Sequence, residues 1–230
     1  LTIEEQERFV DYIHTSTRFK QWAPLFTILL GTGMRVGEAL GLTWSDCDFK
    51  NNTISVNHTL SCCYNESGAY VKMITPPKTK SSIRMIPMLS EVRSTLMDLH
   101  TAYVEKGNIS PRIGNYSGFV FVGGRGKLIE NGTAFGALKT IIDSYNKEEA
   151  EKAESSGNDG YEPLFLPHFG PHVLRHTFCT RFCENETDLK VIQEIMGHKD
   201  IRITMNIYNT ATAERKVNAV TNLEGKIKIV

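Results

Sequence analysis

Between residues 53 and 88 the sequence changes its period. "TISV" (53–56), "AYVKMI" (69–74) and "SIRMIPM" (82–88) read as strands, while the segments on either side repeat their apolar residues in steps of three and four. So little strand, enclosed by so much helix, confines the chain to a helical body carrying one small antiparallel sheet. Pro87 marks the end of that sheet, because proline cannot donate to a ladder. The expected fold class is α+β, mostly α-helical, with a small three-stranded antiparallel sheet. The polar stretch "NHTLSCCYNESG" (57–68) is expected to link the first two strands. "GFVFVG" (118–123) is a further short strand-like piece, and the terminal "KIKIV" also alternates.

The helical segments carry their own punctuation. "TIEEQERFVDYIHTS" places Thr2 three residues before Glu5, a capping box, and Ile3, Phe9, Val10 and Ile13 form its apolar stripe. "QWAPLFTILLGTGM" is expected to be a buried helix that stops at Gly31-Thr32-Gly33, with "RVGEALGLTW" starting a short helix at that turn. Ser90 is the expected cap of the next helix, whose Val92, Leu96, Leu99 and Tyr103 face the core. Further helices are expected at 131–148, 171–184, 188–196, 201–209 and 212–223. Residues 147–168, acidic and then rich in Gly and Ser, read as an insertion.

Composition excludes several classes. Apolar residues make up 40% and charged residues 23%, ordinary for a soluble globular protein. No apolar run approaches the roughly 20 residues of a membrane span. The acidic, amphipathic start is unlike a secretion signal. The chain begins without Met, which points to an excised domain. Five cysteines without a CxxC pair read as reduced thiols used as small apolar residues. Net charge is zero, which by itself argues against nucleic acid. The distribution says otherwise: residues 71–93 carry Lys72, Lys78, Lys80, Arg84 and Arg93 against Glu91 alone, and acids collect at 143–162. The stretch from Lys199, with Arg202, is again basic.

The densest chemistry lies in "GPHVLRHTFCTRF" (170–182), with two histidines and two arginines beside Cys179. A metal site, a solvated basic face and a phosphate grip compete for it. Proline favours the first helical position, so the helix starts at Pro171 and His168 falls outside it. That breaks the His168–His172–His176 ladder. No HExxH is present and no acid sits at ligand spacing, so the metal reading weakens. His172 and Arg175, three apart, share a face. His176 and Cys179 share a neighbouring one. The segment alone leaves a solvated pair and an anion grip both open.

It does not stand alone. "GTGMRVGEALGLTWSDCDF", "PPKTKSSIRMIPM", "PHVLRHTFCTRF" and "IQEIMGHKDIRITMNIYNTAT" follow in that order. Together they resemble the catalytic domain of tyrosine recombinases, the phage-type integrases, most closely those of phages and conjugative transposons. The resemblance covers essentially the whole chain and implies that fold for residues 1–230, without the N-terminal DNA-clamping domain usual in the family. It implies an enzyme that cuts and rejoins DNA through a covalent 3′-phosphotyrosine, integrating or excising a mobile element, with no metal and no ATP. In metal-free phosphoryl transfer, fixed cations must meet the anionic transition state, and arginine suits because it forks onto two phosphate oxygens.

Carried over by motif, Arg35 and Arg175 are the two arginines, and His172 precedes Arg175 as in the family's His-x-x-Arg. His198 follows Gly197 as a donor to a nonbridging oxygen. Tyr208, ten residues after His198, is the nucleophile. Lys78 is the favoured proton donor to the leaving oxygen. Lys80 qualifies too, its other reading being a DNA-backbone contact like Arg84, Lys199 and Arg202. Glu38 is expected to orient Arg35, and His176 to support the site. The implied partners are double-stranded DNA, further copies of the chain in a tetramer on paired sites, and accessory DNA-bending proteins, in the cytoplasm of a bacterium. The tail 212–230 is expected to dock on a neighbouring protomer. Competing readings are a type IB topoisomerase, a catalytically silent DNA-binding relative and, disfavoured by Pro171, a metal-dependent hydrolase.

Overall fold

The computed structural model describes residues 1–77, 82–124, 126–156 and 161–211. Its elements are α1 (Ile3–Thr15), α2 (Ala23–Thr32), α3 (Val36–Gly41), β1 (Cys47–Asp48), β2 (Thr53–Val56), β3 (Thr59–Tyr64), β4 (Tyr70–Thr75), β5 (Arg84–Pro87), α4 (Ser90–Glu105), α5 (Asn131–Ser156), α6 (Pro171–Asn185), α7 (Leu189–Met196) and α8 (Ile201–Ala211). No helix among the described residues is long and apolar enough to cross a membrane.

The α1 capping box forms as its residues dictate: the Glu5 N–H donates to Thr2 Oγ1 at 3.1 Å and the Thr2 N–H to Glu5 Oε2 at 2.8 Å. The next cap differs from expectation. Leu89, not Ser90, is the cap of α4, and the Ser90 hydroxyl instead donates to the Glu91 carboxylate. Asp188 caps α7 through the N–H groups of Lys190 and Val191.

The strands pair differently from the expected order. β1, β2 and β5 form the three-stranded antiparallel sheet, with Ile54 opposite Ile86 and Val56 opposite Arg84. The segment around β4 does not join it. β4 pairs with β3 in a separate hairpin, so the stretch expected to be a linker is itself a strand. The reason lies in its composition. Leu60 is the fully buried anchor of β3, while Cys62 is only half-buried and Cys63 and Tyr64 at its far end are exposed, so the segment reads as polar.

α2 lies at the centre, with Leu25, Phe26, Ile28 and Leu29 buried and α1, α4 and α6 packed around it. It stops at Gly33, whose φ of 63° suits glycine. A Cβ there would also fall 2.4 Å from the Phe178 ring of α6, so this turn can press directly onto α6. A second, smaller core forms where α6, α7 and α8 meet. It contains Cys179, Cys183, Ile192 and Met196, with Phe178, Phe182, Leu189, Ile207 and Tyr208 against them. α5 runs unbroken into the acidic segment. Glu149, buried there, accepts from Lys152 at 2.8 Å and Tyr161 at 2.6 Å, which ties the far side of the insertion back to the helix.

Candidate functional site

The close contact between the Gly33 turn and α6 brings two distant arginines together. Arg35 is the cap of α3, with extended backbone, and its N–H donates to Glu38 Oε2 at 2.9 Å. Arg35 Nη1 donates to Glu38 Oε1 at 2.8 Å, so Glu38 orients both the backbone and the side chain of Arg35. The rest of the guanidinium stays open, with 39% of the side chain exposed. Arg175, on α6, is buried. Its Nη1 donates to the Gly33 carbonyl and its Nη2 to the Met196 carbonyl, joining the end of α2 to the end of α7.

α7 ends at Gly197, which takes the left-handed conformation, and His198 follows. His198 is buried, and its Nδ1 lies 3.0 Å from Thr204 Oγ1 on α8. Its carbonyl accepts from Gln193 Nε2 at 3.0 Å. His172 stands one turn before Arg175 on the open side of α6. The ring of His176 is 6.3 Å from that of His172. Arg35, His172, Arg175, His176 and His198 line one cavity of about 140 Å³, closed by Cys179, Met196, Ile203 and Ile207.

Electrostatics match the geometry. Burial, then the charges of Arg175 and Arg35, push His198 down to about 4. His172 is also lowered, by burial first and then by Arg175, His176 and Arg35. Both imidazoles are therefore neutral at pH 7. Burial and the neighbouring Arg35 and Arg84 lower Arg175 to about 9, which leaves it charged. Burial opposes the ionisation of Glu38, but the hydrogen bonds and charge of Arg84, with those of Arg35, win and lower it. The cavity thus offers fixed guanidinium charge beside neutral imidazoles, a setting for a multiply charged oxyanion.

A pH dependence follows. An imidazole in the unfolded chain protonates near pH 6.5, whereas folded His198 protonates near 4. Between these values only the unfolded state takes up the proton. The stability gained is therefore complete above about pH 6.5 and is lost as pH falls toward 4. His198→Gln removes this titration and should flatten the acid loss by at most about 3 kcal/mol. Urea midpoints at pH 7 and pH 4.5 measure it, and parallel profiles for the two proteins would contradict it.

Other expected residues lie elsewhere. Tyr208 does not line this cavity; it packs half-buried against the second core, one residue beyond the lining Ile207. Lys78 and Lys80 lie outside the described residues, as does the tail from residue 212. Lys199 and Arg202 are exposed beside His198, and Arg202 Nε donates to Asp200 at 2.8 Å, a solvent-screened pair. His168 sits outside α6, as Pro171 requires, 3.6 Å from Asp143. Among the described residues no three His, Cys, Asp or Glu side chains converge as metal ligands.

Arg84, expected as a DNA contact, lies inside the protein. It is buried, donating from Nη2 to Glu38 Oε2 at 2.8 Å, from Nη1 to Glu38 Oε1 at 3.2 Å and from Nε to the Ile195 carbonyl at 2.8 Å. With the Ser82 carbonyl also accepting from Nη1 at 3.2 Å, four of the five guanidinium N–H groups are taken up inside the protein. The signal was in the sequence: a period of two puts Arg84 on the inward face of β5 with Ile86. Thr204 was missed altogether. It stands six residues after His198, a separation that only the turn between α7 and α8 makes short.

The phage integrase family model matches residues 1–215. Transposase from transposon Tn916 of Enterococcus faecalis is 32% identical over 212 residues, which is 92% of this chain and 48% of that protein. A tyrosine recombinase XerC-like protein of Caldanaerobacter subterraneus subsp. tengcongensis is 32% identical, over 86% of this chain and 48% of its own. The structure of the Tn1549 transposon integrase with a circular intermediate DNA superimposes with a TM-score of 0.76 at 30% identity, covering 97% of this chain and 65% of that one. The chain thus spans about half the length of the curated relatives it matches.

Proposed function

The chain belongs to the phage integrase family of tyrosine recombinases, and from that premise we propose that it is the part of a site-specific DNA recombinase that cleaves and rejoins strands, integrating or excising a mobile element. The observation that carries this reading is the convergence of Arg35, Arg175, His172 and His198, from three separate segments, on one cavity where the guanidiniums are charged and the imidazoles neutral.

In the proposed reaction the Tyr208 Oη attacks the scissile phosphorus. The bond from phosphorus to the 5′ oxygen breaks, and a 3′-phosphotyrosine forms. His172, neutral at the mouth, takes the tyrosine proton, and Lys78 gives one to the leaving 5′ oxygen. Attack by a 5′ hydroxyl of the partner strand reverses each step, so the phosphodiester energy is kept and neither metal nor ATP is needed. Arg35 and Arg175 meet the charge on the nonbridging oxygens, and His198 donates to one of them through Nε2 when Thr204 satisfies Nδ1. Tyr208 packs against the second core, which shares Cys179, Met196 and Ile207 with the cavity. Lys80, Lys199 and Arg202 would contact the DNA backbone, and His176 would support His172 from the next turn. The substrate is double-stranded DNA, engaged in the cytoplasm by a tetramer on paired sites, with accessory DNA-bending proteins.

The test is trapping on a nicked duplex carrying a candidate attachment site, where the short cleaved strand diffuses away. Covalent protein–DNA adduct should accumulate equally with and without a chelator. Adduct that is lost with chelator and restored by Mg²⁺ or Zn²⁺ would overturn the metal-free reaction.

A further inference from the structure

The buried ion pair between Arg84 and Glu38 has no role in the reaction as set out above. Its position is unusual. Arg84 occupies an inward strand site opposite Val56, where an apolar residue would complete the sheet's inner face. Replacing a buried ion pair with apolar groups is often neutral or stabilising, so stability alone does not account for it.

Its contacts show what it does. The two oxygens of Glu38 accept from the Arg35 N–H, Arg35 Nη1, Arg84 Nη1 and Arg84 Nη2. A buried carboxylate paired with Arg35 alone would cancel that charge and draw the guanidinium off the cavity. With Arg84 present, the three groups keep a net positive charge, and Arg35 remains held while its outer nitrogens stay open. The same Arg84 binds the Ile195 carbonyl, and its side chain lies 3.1 Å from where a Gly197 Cβ would stand. It therefore also backs the turn that presents His198.

We propose that Arg84 is a positioning residue of the phosphate site, neutralising Glu38 so that Arg35 keeps its charge for the substrate and bracing the Gly197 turn so that His198 keeps its aim. This rests on the recombinase reading above. Arg84 touches neither DNA nor the reacting atoms. Lysine cannot replace it, because one ammonium cannot span both Glu38 oxygens and the Ile195 carbonyl.

Two variants test it, Arg84→Met and the double variant Glu38→Gln with Arg84→Met, which removes the buried carboxylate charge together with its partner and so avoids an unpaired ion. Single-turnover cleavage is measured at saturating DNA on matched duplexes with a scissile phosphate or a neutral methylphosphonate. Arg84→Met, which leaves the buried Glu38 charge to Arg35 alone, is expected to slow phosphate cleavage by about 10²-fold, with DNA affinity unchanged, and to slow the methylphosphonate far less, since that centre has less charge to meet. The double variant should return the ratio of the two rates toward that of the unaltered chain. Equal slowing on both substrates, or a double variant that keeps the altered ratio, overturns the proposal and leaves Arg84 a structural residue. An unaltered chain that forms no adduct on phosphate overturns the recombinase reading, and this proposal falls with it.

Discussion

Tyr208→Phe is expected to abolish the covalent protein–DNA adduct while leaving DNA binding intact. The change removes one oxygen and keeps the ring that packs against Cys179, Cys183, Ile192 and Met196. Folding should change little, as for most substitutions that leave core volume in place. Chemistry should not survive, because no phenyl ring can attack phosphorus; a fall of about 10⁴-fold or more is the scale seen when an enzyme loses its nucleophile. Denaturing gels of the trapping reaction measure the adduct, and mobility shift at matched salt measures binding. Undiminished adduct would assign the nucleophile to another residue and return Tyr208 to a packing role. The test is sharp because the ring's packing is kept while only its hydroxyl is lost.

The second large effect is expected at Arg175, where the same side chain serves the fold and the site. Arg175→Met strands the carbonyls of Gly33 and Met196, each at a cost of about 1–3 kcal/mol. It also removes the deepest positive charge in the cavity, and the loss of one such donor lowers rates by about 10² to 10³-fold. Arg175→Lys separates the two roles. It keeps a charge but cannot fork to carbonyls from two helices, so stability should recover in part while cleavage stays at least about tenfold down. Urea midpoints and single-turnover adduct rates read the two effects. A stably folded Arg175→Lys that cleaves at the unaltered rate would remove Arg175 from the phosphate site.

Parts of the site could be read directly from the residues. The Gly33 turn, Arg35 after it and Glu38 three residues on form a local unit, and their geometry depends on contacts within one helical turn. The same is true of Pro171, which sets the start of α6 and thereby separates His168 from His172 and Arg175. The strand partners were not legible in this way. β4 was expected beside β2 but lies against β3, since the polar surroundings and the exposed Cys63 and Tyr64 hid a strand that Leu60 anchors. Arg84 misled for a related reason: an arginine in a basic stretch reads as a surface residue, and only its carboxylate partner 46 positions earlier makes burial tolerable.

The sequence by itself determined the helical character, the capping box of α1, the stop at Gly33 and the start at Pro171, the order of the four motifs and so the family, because all of these rest on spacing within a few residues. The tertiary structure decided what those motifs do to one another. Gly33 had to meet Phe178 at van der Waals distance before Arg175 could reach across to the end of α2. His198 had to be buried beside two guanidiniums before its imidazole stayed neutral well below pH 6. Tyr208 had to pack against the second core, which shares Cys179, Met196 and Ile207 with the cavity, before a residue ten positions past His198 came to the site's edge. The physical reason is common to all three. Charge state and reach depend on desolvation and on groups far along the chain, and those are supplied only by packing.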